Sequence, residues 1–388
     1  MAITALPMRE IYRQLIHICT IVGARPQFIK ASAISRVINE KYPGKIRESI
    51  LHTGQHYDFS MSELFFKELG IPQPVKHGEC GGGTQAEQTS AMLLFCEKML
   101  LELKPDLVLV YGDTNSTMAA ALVASKLHIP IAHIEAGLRS YDRQMPEEVN
   151  RLLTDHLSSL LYVPVQSGLD CLEKEGLRPG HAGKPNPLKP QVVLCGDVML
   201  DSALHFASVS GGVLSEYGLQ ENKYLLCTIH RPSNADEPKR LFKIFDELKA
   251  LASKLDKKPV LPLHPRTLKV LGEEGLDYMQ KQGLQVIPAQ GYLSMLQLEK
   301  NAFMILTDSG GVQKEAFFFQ KPCVILRDTS EWTEILSSGW AVLAGDAELR
   351  VCEKALHLLQ HMPEEHPAIF GDGRAAESIV AHIFQSFQ

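Results

Sequence analysis

The chain repeats one hydrophobic pattern from end to end: a short apolar run, a polar turn and an amphipathic segment of about ten to fifteen residues. This alternation predicts a parallel α/β architecture. In the first half, apolar runs predict strands over residues 16–23, 107–112 and 129–135, and helices are predicted from Pro26 and over 115–127. The last two strands and the helix between them predict a βαβ unit with a right-handed crossover.

The pattern pauses once, at RPGHAGKPNPLKPQ (residues 178–191), which has four prolines, two glycines and no periodicity. Strands are then predicted in VVLCGD, YLLCTIH, KPVLPLH, LQVIPA, FMILTDSGG and CVILRD. We therefore predict an α/β fold of two Rossmann-like, doubly wound domains, residues 1–190 and 191–366, facing each other across a cleft. The segment 367–388 contains a helical stretch that can pack on either domain, and we assign it to the N-terminal one.

Composition narrows the class of protein. With 388 residues, 45% hydrophobic and 22% charged, the chain is typical of a soluble globular protein of two or three domains. A net charge of -6 favours neither a nucleic-acid partner nor a membrane surface, and no apolar run reaches about 18 residues. The eight cysteines never form C-x-x-C and the N-terminus has no signal-like apolar region, so we expect a cytoplasmic protein with buried thiols.

Polar side chains follow the predicted strands. Because parallel strands bring their carboxyl ends to one edge of a sheet, these side chains are expected to gather there. One such residue is most simply a helix cap or a turn former, but a set of seven strand ends suits a phosphorylated substrate that needs proton transfer. The candidates are Arg25, Asp113, Glu135 and Arg139 in the first half, and His230, Arg266, Asp308-Ser309 and Arg327 in the second.

The stretch TDSGGVQKEA, residues 307–316, predicts a strand end followed by a helix. The first N–H groups of a helix lack internal partners and attract anions, and Gly310 and Gly311 remove the side chains that would keep a phosphate away. An ordinary strand-to-helix turn with Ser309 as N-cap is the alternative.

Several cofactor classes are disfavoured by motif. GARPQF after the first strand is not G-x-G-x-x-G, and the chain has neither a P-loop nor the H-E-x-x-H spacing of a zinc site. We therefore expect no NAD, no other cofactor and no metal.

Seven motifs in order, GARPQFIK, TGQHYD, YGDTNST, HIEAGLRS, MPEEVNR, TIHRPSN and TDSGGVQKEA, resemble the non-hydrolysing UDP-N-acetylglucosamine 2-epimerase family along nearly the whole chain. The resemblance implies a fold similar to GT-B glycosyltransferases, a homodimer and a UDP-sugar in the cleft. It also implies inversion at C2 by elimination and re-addition of UDP.

The resemblance carries residue roles to matching positions. Asp113, Glu135 and Glu147 become the acid/base carboxylates, and His230 helps UDP leave and return. Purely structural roles remain open for these residues. Glu147 could do no more than stabilise the helix dipole at a helix start, and Asp113 could be a turn former. His230 could be a histidine at a strand end whose hydrogen bonds are made within the protein.

Binding roles follow in the same way. The backbone at Ser309 and Gly310 would hold phosphate, Glu315 would bind the ribose hydroxyls, and Arg25 and Lys30 match positions near the diphosphate. Solvated helix charges are the alternative for Arg25 and Lys30.

Two departures from the family pattern bear on the substrate. Trp332 stands where members acting on UDP-N-acetylglucosamine usually have arginine, and the loop GLRSYDRQMPEE is shorter than theirs. Both are more similar to relatives that epimerise UDP-2,3-diacetamido-2,3-dideoxyglucuronate for surface polysaccharide. A hydrolysing 2-epimerase, a GT-B glycosyltransferase and a non-catalytic nucleotide-sugar-binding protein remain alternatives.

Overall fold

A computed structural model describes residues 15–55, 66–178, 183–209, 211–263 and 265–388 of the chain. It divides into two compact units: the chain up to Ser202 together with Phe370–Gln388, and Ala203–Ile369. Each unit is built on its own parallel sheet, with helices connecting the strands. Two α/β units were predicted from the alternating apolar runs.

In the described part of the first unit, seven parallel strands lie in the order β3-β2-β1-β4-β5-β6-β7. They are β1 Ile16–Val22, β2 Ile46–His52, β3 Lys76–His77, β4 Leu107–Tyr111, β5 Ile131–Ile134, β6 Leu160–Val163 and β7 Gln191–Leu194. In the described part of the second unit, six parallel strands lie in the order β10-β9-β8-β11-β12-β13. They are β8 Tyr224–Thr228, β9 Lys258–Leu263, β10 Gln285–Pro288, β11 Met304–Thr307, β12 Cys323–Ile325 and β13 Ala341–Leu343.

The helices follow the strands in chain order, as βαβ connections require. Up to the second sheet, the helices whose two ends both lie in the described residues are α1 Arg25–Lys41, α2 Gln85–Leu103, α3 Asn115–Lys126, α4 Pro146–Leu157, α5 Gln166–Lys174, α6 Val198–Ala207 and α7 Val213–Glu216. The others are α8 Pro232–Ala235, α9 Pro238–Leu255, α10 Pro265–Lys281, α11 Tyr292–Asn301, α12 Gly310–Phe318, α13 Thr333–Ser337, α14 Val351–His361 and α15 Ala375–Ser386. No helix among the described residues is long and apolar enough to cross a membrane.

Central strands of both sheets are buried on both faces. Every residue of β1, β4 and β8 is buried, and their sequences IHICTIV, LVLVY and YLLCT are nearly continuous apolar runs. Such runs are typical of parallel strands covered by helices on two sides. All eight cysteines are free thiols, and six of them are buried.

Strand order reverses at one place in each sheet. In the first sheet β1 lies between β2 and β4, and in the second β8 lies between β9 and β11. Connections from the two neighbouring strands leave in opposite directions at such a point, so a crevice opens at the carboxyl ends. The residues that follow β1, β4, β8 and β11 are therefore the ones best placed to contact a ligand.

The division of the chain differs from the predicted boundaries after 190 and 366. β7 was assigned to the second domain because it follows the proline-rich loop, but it pairs with β6 in the first sheet. The first unit continues to Ser202 and resumes at Phe370.

The C-terminal helix α15 lies in the first unit, where it packs against α1. The carboxylate of Asp201 accepts hydrogen bonds from the N–H groups of Ala375 and Ala376 at its first turn, at 3.1 and 2.7 Å. Farther along the helix, His382 Nδ1 lies 3.0 Å from the Tyr162 hydroxyl. The end of the chain thereby completes the first unit.

Candidate active site

The turn after β1 is held to the end of β4 by one buried amide. Gln27 Oε1 accepts hydrogen bonds from the N–H groups of Gly23 and Ala24, and its Nε2 donates to the Tyr111 carbonyl and the Thr117 hydroxyl. All four hydrogen bonds are 2.8–3.1 Å long. The first turn of α1 and the end of β4 are therefore fixed relative to each other, as a preorganised site requires.

Glu135 has a strained backbone directly after β5. Its φ of 73° lies in the left-handed region, which side chains other than glycine rarely adopt. Its carboxylate forms a buried ion pair with Lys30 from α1. A methyl group added to Gly112 would lie 3.0 Å from the Glu135 carboxylate and 3.2 Å from the Lys30 ammonium group, so a glycine leaves room for the pair. Strain of this kind concentrates at functional positions.

Beneath these strand ends lies a buried histidine and carboxylate pair. His133 Nε2 is 2.7 Å from the Gly112 carbonyl oxygen, which can only accept, so this nitrogen carries a hydrogen. Nδ1 is 2.7 Å from Asp155 Oδ1, and Asp155 Oδ2 accepts from Gly137 N–H at 3.1 Å. The pair therefore connects the segment before Asp113 with the segment after Glu135.

Asp155 is ionised in this network. Burial raises its pKa, but the hydrogen bonds and positive charges of His133 and Arg139 lower it more, so the net shift is downward. An ionised carboxylate can only accept, so Asp155 Oδ1 accepts from His133 Nδ1.

Arg139 was predicted to bind substrate, and the structure places it elsewhere. Its guanidinium side chain is only 1% exposed. It contacts Asp155 at 2.7 Å and Glu175 at 2.7 and 2.8 Å, and it donates to the Leu138 carbonyl. A cation in this interior requires carboxylate partners, and Arg139 has two of them, Asp155 and Glu175.

Asp113 lies at the carboxyl edge with its side chain 38% exposed. Its Oδ2 is 2.5 Å from an Arg151 nitrogen, and a second nitrogen of Arg151 is 3.4 Å from Glu148. Glu148 is buried and accepts from the N–H groups of Ser140 and Tyr141. The loop before α4, the helix and Asp113 are thus joined through Arg151.

Glu147, the predicted third carboxylate, is exposed in the first turn of α4, whereas its neighbour Glu148 points inward. Arg25 is also exposed, at the first position of α1. The backbone of Arg266 lies in the first turn of α10, and His264 and the side chain of Arg266 lie outside the described residues.

In the second unit, Asp308 follows β11 and holds the segment after β8. Its fully buried carboxylate accepts from the N–H groups of His230 and Arg231 and from Asn234 Nδ2, at 3.0–3.2 Å. His230 Nδ1 is 3.0 Å from Asp308 Oδ1, while the His230 side chain is 55% exposed. The carboxylate therefore orients the ring and leaves Nε2 for a ligand.

Burial raises the pKa of Asp308, but the bonds from His230 and Asn234, together with the His230 charge and the Arg231 N–H, lower it more. The net pKa is lowered, so Asp308 is an ionised acceptor at neutral pH.

Helix α12 begins at Gly310 with Ser309 as N-cap, whose hydroxyl accepts from Val312 N–H at 3.5 Å. Methyl groups added to Gly310 or Gly311 would have no neighbour closer than 3.7 Å. The N-terminus of α12 therefore has room beside its backbone. Glu315 is buried one turn further along.

Trp332 packs against the start of α12. Its Nε1 donates to the Gly310 carbonyl at 3.1 Å, and the Lys314 ammonium group lies 4.4 Å from the centre of its ring. Trp332 thereby attaches the loop after β12 to the first turn of the helix.

Arg327, predicted to bind substrate, forms two hydrogen bonds to Glu331, at 2.7 and 2.9 Å.

The sequence interpretation missed His133 and Asp155, and it named Asp308 without its role in positioning His230. A signal existed for two of them, because His133 interrupts the apolar run IAHI and Asp308 directly follows MILT. Asp155 lies within the amphipathic helix α4, where a polar residue raises no question. Among the described residues, no group of three or more His, Cys, Asp or Glu side chains could hold a metal ion.

The features of the two units, each described by itself, indicate one class of enzyme. The first places carboxylates, one of them paired with lysine, at the ends of parallel strands, and the second places a carboxylate-oriented histidine beside a glycine-rich helix N-terminus. These are the features of two-domain α/β enzymes that act on phosphorylated substrates. A sequence model described as UDP-N-acetylglucosamine 2-epimerase matches residues 40–384, and the chain belongs to this family.

Two curated relatives show the range of the family. The chain is 46% identical to the UDP-2,3-diacetamido-2,3-dideoxy-D-glucuronate 2-epimerase of Pseudomonas aeruginosa, over 94% of this chain and 99% of that protein. It is 40% identical to the UDP-N-acetylglucosamine 2-epimerase of Methanocaldococcus jannaschii, over 93% of this chain and 96% of that protein.

The crystal structure of the Methanocaldococcus jannaschii enzyme in complex with UDP-GlcNAc and UDP has a TM-score of 0.78 at 39% identity, over 95% of this chain and 99% of that one. The predicted two-domain Rossmann-like α/β fold and the predicted family, with its likeness to the diacetamido-glucuronate branch, are confirmed. Members so named are isomerases that act on UDP-sugars.

Proposed function

We propose that this protein inverts C2 of UDP-2,3-diacetamido-2,3-dideoxy-D-glucuronate by eliminating and re-adding UDP. The observation that carries the substrate is the 46% identity, over almost the full length of both chains, to an enzyme named for it. A role in supplying precursors for surface polysaccharide follows from the same likeness. The eight free thiols support a reducing, cytoplasmic location.

The chemistry explains why both kinds of group are needed. The C2 proton of a 2-acetamido sugar is not adjacent to a carbonyl group, so simple deprotonation is very slow. If a base removes this proton while the bond from C1 to the UDP oxygen breaks, the products are a glycal with a C1–C2 double bond and UDP. Protonation of C2 on the opposite face and re-addition of UDP at C1 gives the epimer without any change in oxidation state.

The first unit supplies the proton-transfer groups in this proposal. Glu135 is the carboxylate best suited to move the C2 proton, because its backbone is strained and Lys30 favours its ionised form. Asp113, held by Arg151, serves the other face, and the exposed Glu147 is the third candidate.

The second unit handles the nucleotide. The backbone at the start of α12, around Ser309 and Gly310, binds the phosphate oxygens, and Glu315 accepts hydrogen bonds from the ribose hydroxyls. His230 is oriented by Asp308 with Nε2 available, so it can protonate the departing diphosphate and receive the proton back on re-addition.

We also propose that the protein is a homodimer that associates through helices α2, α3 and α4, which pack side by side in the first unit. Large apolar side chains are exposed on two of these helices: Leu94 and Leu101 on α2, 70% and 55% exposed, and Val149 and Leu153 on α4, 42% and 46% exposed. We call this surface the α2–α4 face. Apolar groups of this size on neighbouring helices mark an interaction surface.

The charges around the α2–α4 face suit a second copy of the same chain. Glu87 and Glu147 are exposed in first turns, while Lys126 and His156 are exposed in last turns. The three helices run in the same direction because each follows or precedes parallel strands. A two-fold axis perpendicular to them would place the acidic end of one copy on the basic end of the other.

Proton NMR in deuterated buffer tests the reaction, with the diacetamido-glucuronate and UDP-N-acetylglucosamine offered in separate tubes. We expect deuterium at C2 of the first sugar together with formation of its manno epimer. Exchange in UDP-N-acetylglucosamine alone would transfer the substrate assignment to that sugar. Free UDP accumulating in step with product would identify a hydrolysing enzyme, and binding without exchange of either sugar would refute catalysis.

A further inference from the structure

Two arginines of the second unit converge on one carboxylate. Arg327 follows β12 and donates to both oxygens of Glu331, at 2.7 and 2.9 Å. Arg231 follows β8, and its guanidinium lies 3.7 Å from Glu331 Oε1. The Arg327 side chain is 12% exposed, whereas those of Glu331 and Arg231 are 39% and 40% exposed. In the Arg327–Glu331 pair, the carboxylate is thus the more exposed partner.

The same carboxylate lies beside the first turn of α12. Glu331 Oε2 is 3.7 Å from the point where a methyl group on Gly310 would stand. The next residue, Trp332, donates to the Gly310 carbonyl, which holds the loop against the helix start. An acidic oxygen therefore lies within 4 Å of the Gly310 methyl position at the start of α12, and two guanidinium groups contact the same carboxylate.

Glu331 carries a negative charge in this position. Burial raises its pKa, but the hydrogen bonds and charge of Arg327 and the charge of Arg231 lower it more, and the net pKa is lowered. An ionised carboxylate and a phosphate make the same bidentate contacts with guanidinium groups.

We propose that Glu331 is an internal anion that competes with the diphosphate of the bound nucleotide for Arg231 and Arg327, and that it thereby limits nucleotide affinity and speeds nucleotide release. This inference rests on the proposed phosphate-binding role of α12. When the diphosphate binds, Arg231 and Arg327 exchange the carboxylate for phosphate oxygens, and Glu331 moves toward solvent. When the nucleotide leaves, Glu331 takes the arginines back.

Competition of this kind suits an enzyme that must keep UDP during the reaction and release it afterwards as part of the product. Two arginines and a helix N-terminus would bind a diphosphate tightly, and tight binding slows product release. Glu331 is always present at the site, so the diphosphate must displace its carboxylate. This displacement costs free energy and makes nucleotide binding weaker.

The test is calorimetric titration of the wild-type chain and Glu331→Gln with uridine, UMP, UDP and inorganic pyrophosphate. We expect Glu331→Gln to bind UDP and pyrophosphate about tenfold more tightly, UMP less so, and uridine with unchanged affinity, because only charged ligands compete with the carboxylate. Stopped-flow dissociation of UDP should slow by a similar factor.

Three controls separate competition from a structural effect. Glu331→Asp keeps the charge and should stay close to wild type. Glu331→Ser repeats the test with a smaller side chain if the glutamine variant does not fold. Glu348→Gln removes an exposed carboxylate paired with Arg350 in the same unit and should leave all four affinities unchanged.

The inference is overturned if Glu331→Gln binds UDP and pyrophosphate with equal or lower affinity, or if the uridine affinity changes as much as that of UDP. Failure of both proteins to bind pyrophosphate would also overturn it. A wild-type chain that binds pyrophosphate but not UDP would instead count against the proposed nucleotide site, while the comparison on pyrophosphate still decides the role of Glu331.

Discussion

Replacing Asp155 by asparagine tests whether its buried pair with His133 holds the candidate catalytic strand ends of the first sheet in place. The aspartate accepts from three donors, His133 on Oδ1 and both Arg139 and the Gly137 N–H on Oδ2. Asparagine has the same shape but no charge, and its amide nitrogen must face one of these donors. The change therefore breaks one hydrogen bond and leaves buried positive charge without its counter-ion.

The size of the effect follows from burial. The side chains of His133 and Asp155 are fully buried, and that of Arg139 is 1% exposed. Removing one partner of a buried pair costs about 3–5 kcal/mol, and since asparagine keeps one acceptor we expect about 3 kcal/mol. In a unit of roughly 200 residues that corresponds to a fall in melting temperature of about 6–12 °C.

The loss should depend on pH in one direction. The pKa of Asp155 is lowered in the folded chain, so its stabilisation is complete above the unfolded value of about 3.9 and is lost as pH falls through the lower folded value. The difference in unfolding free energy between wild type and Asp155→Asn should thus be constant at neutral pH and should disappear in strong acid.

Hydrogen exchange followed by mass spectrometry can locate the effect. We expect faster exchange of the amides of β4 and β5 in Asp155→Asn, with those of β8 and β11 unchanged. Asp277→Asn is the matched control, because its ion pair with Lys281 is exposed and should be worth less than about 1 kcal/mol. The reasoning would be refuted if Asp155→Asn lost less than about 1 kcal/mol of unfolding free energy. It would also be refuted if amide exchange became faster to the same extent in both sheets.

Three further changes test the proposed site and assembly. Glu135→Gln should abolish deuterium incorporation at C2 while UDP affinity by calorimetry stays within a few-fold, and wild-type turnover would remove Glu135 from the mechanism. Asp308→Asn should lower kcat about a hundredfold with little change in KM, because His230 loses its orienting carboxylate; an unchanged pH–rate profile would contradict this. Leu153→Asp should convert a dimer to a monomer in analytical ultracentrifugation, whereas a wild-type chain that sediments as a monomer would exclude the α2–α4 face as a dimer interface.

Much of the fold could be predicted because the central strands are buried on both faces and read as uninterrupted apolar runs. The strand β2 did not stand out, since Arg47 and Glu48 interrupt its run. The assignment of β7 failed for a different reason. A proline-rich loop marks a break in the chain, but only the pairing with β6 shows which sheet the next strand joins.

The places of Glu135 and Asp113 at strand ends were predictable, because each follows an apolar run. The ion-pair and hydrogen-bonding partners of the candidate residues could not be predicted, because they depend on contacts between residues far apart in the sequence. Lys30 was placed near the diphosphate by resemblance, but in this structure it pairs with Glu135, 105 residues away. Arg139 seemed suited to an anion by position alone, and its burial beside Asp155 could not be read from spacing.

The chain route of the first unit sets the order in which the protein can fold during synthesis. Residues up to Ser202 leave the ribosome first, but the helix that packs on α1 and is capped by Asp201 is made only after the whole second unit. Domains generally fold as units as they emerge, so the second unit can complete its core while the first still lacks an element. The first unit therefore stays incomplete, with one side of α1 uncovered, until α15 emerges. A released chain ending at Ile369 would contain the whole second unit but lack this helix of the first.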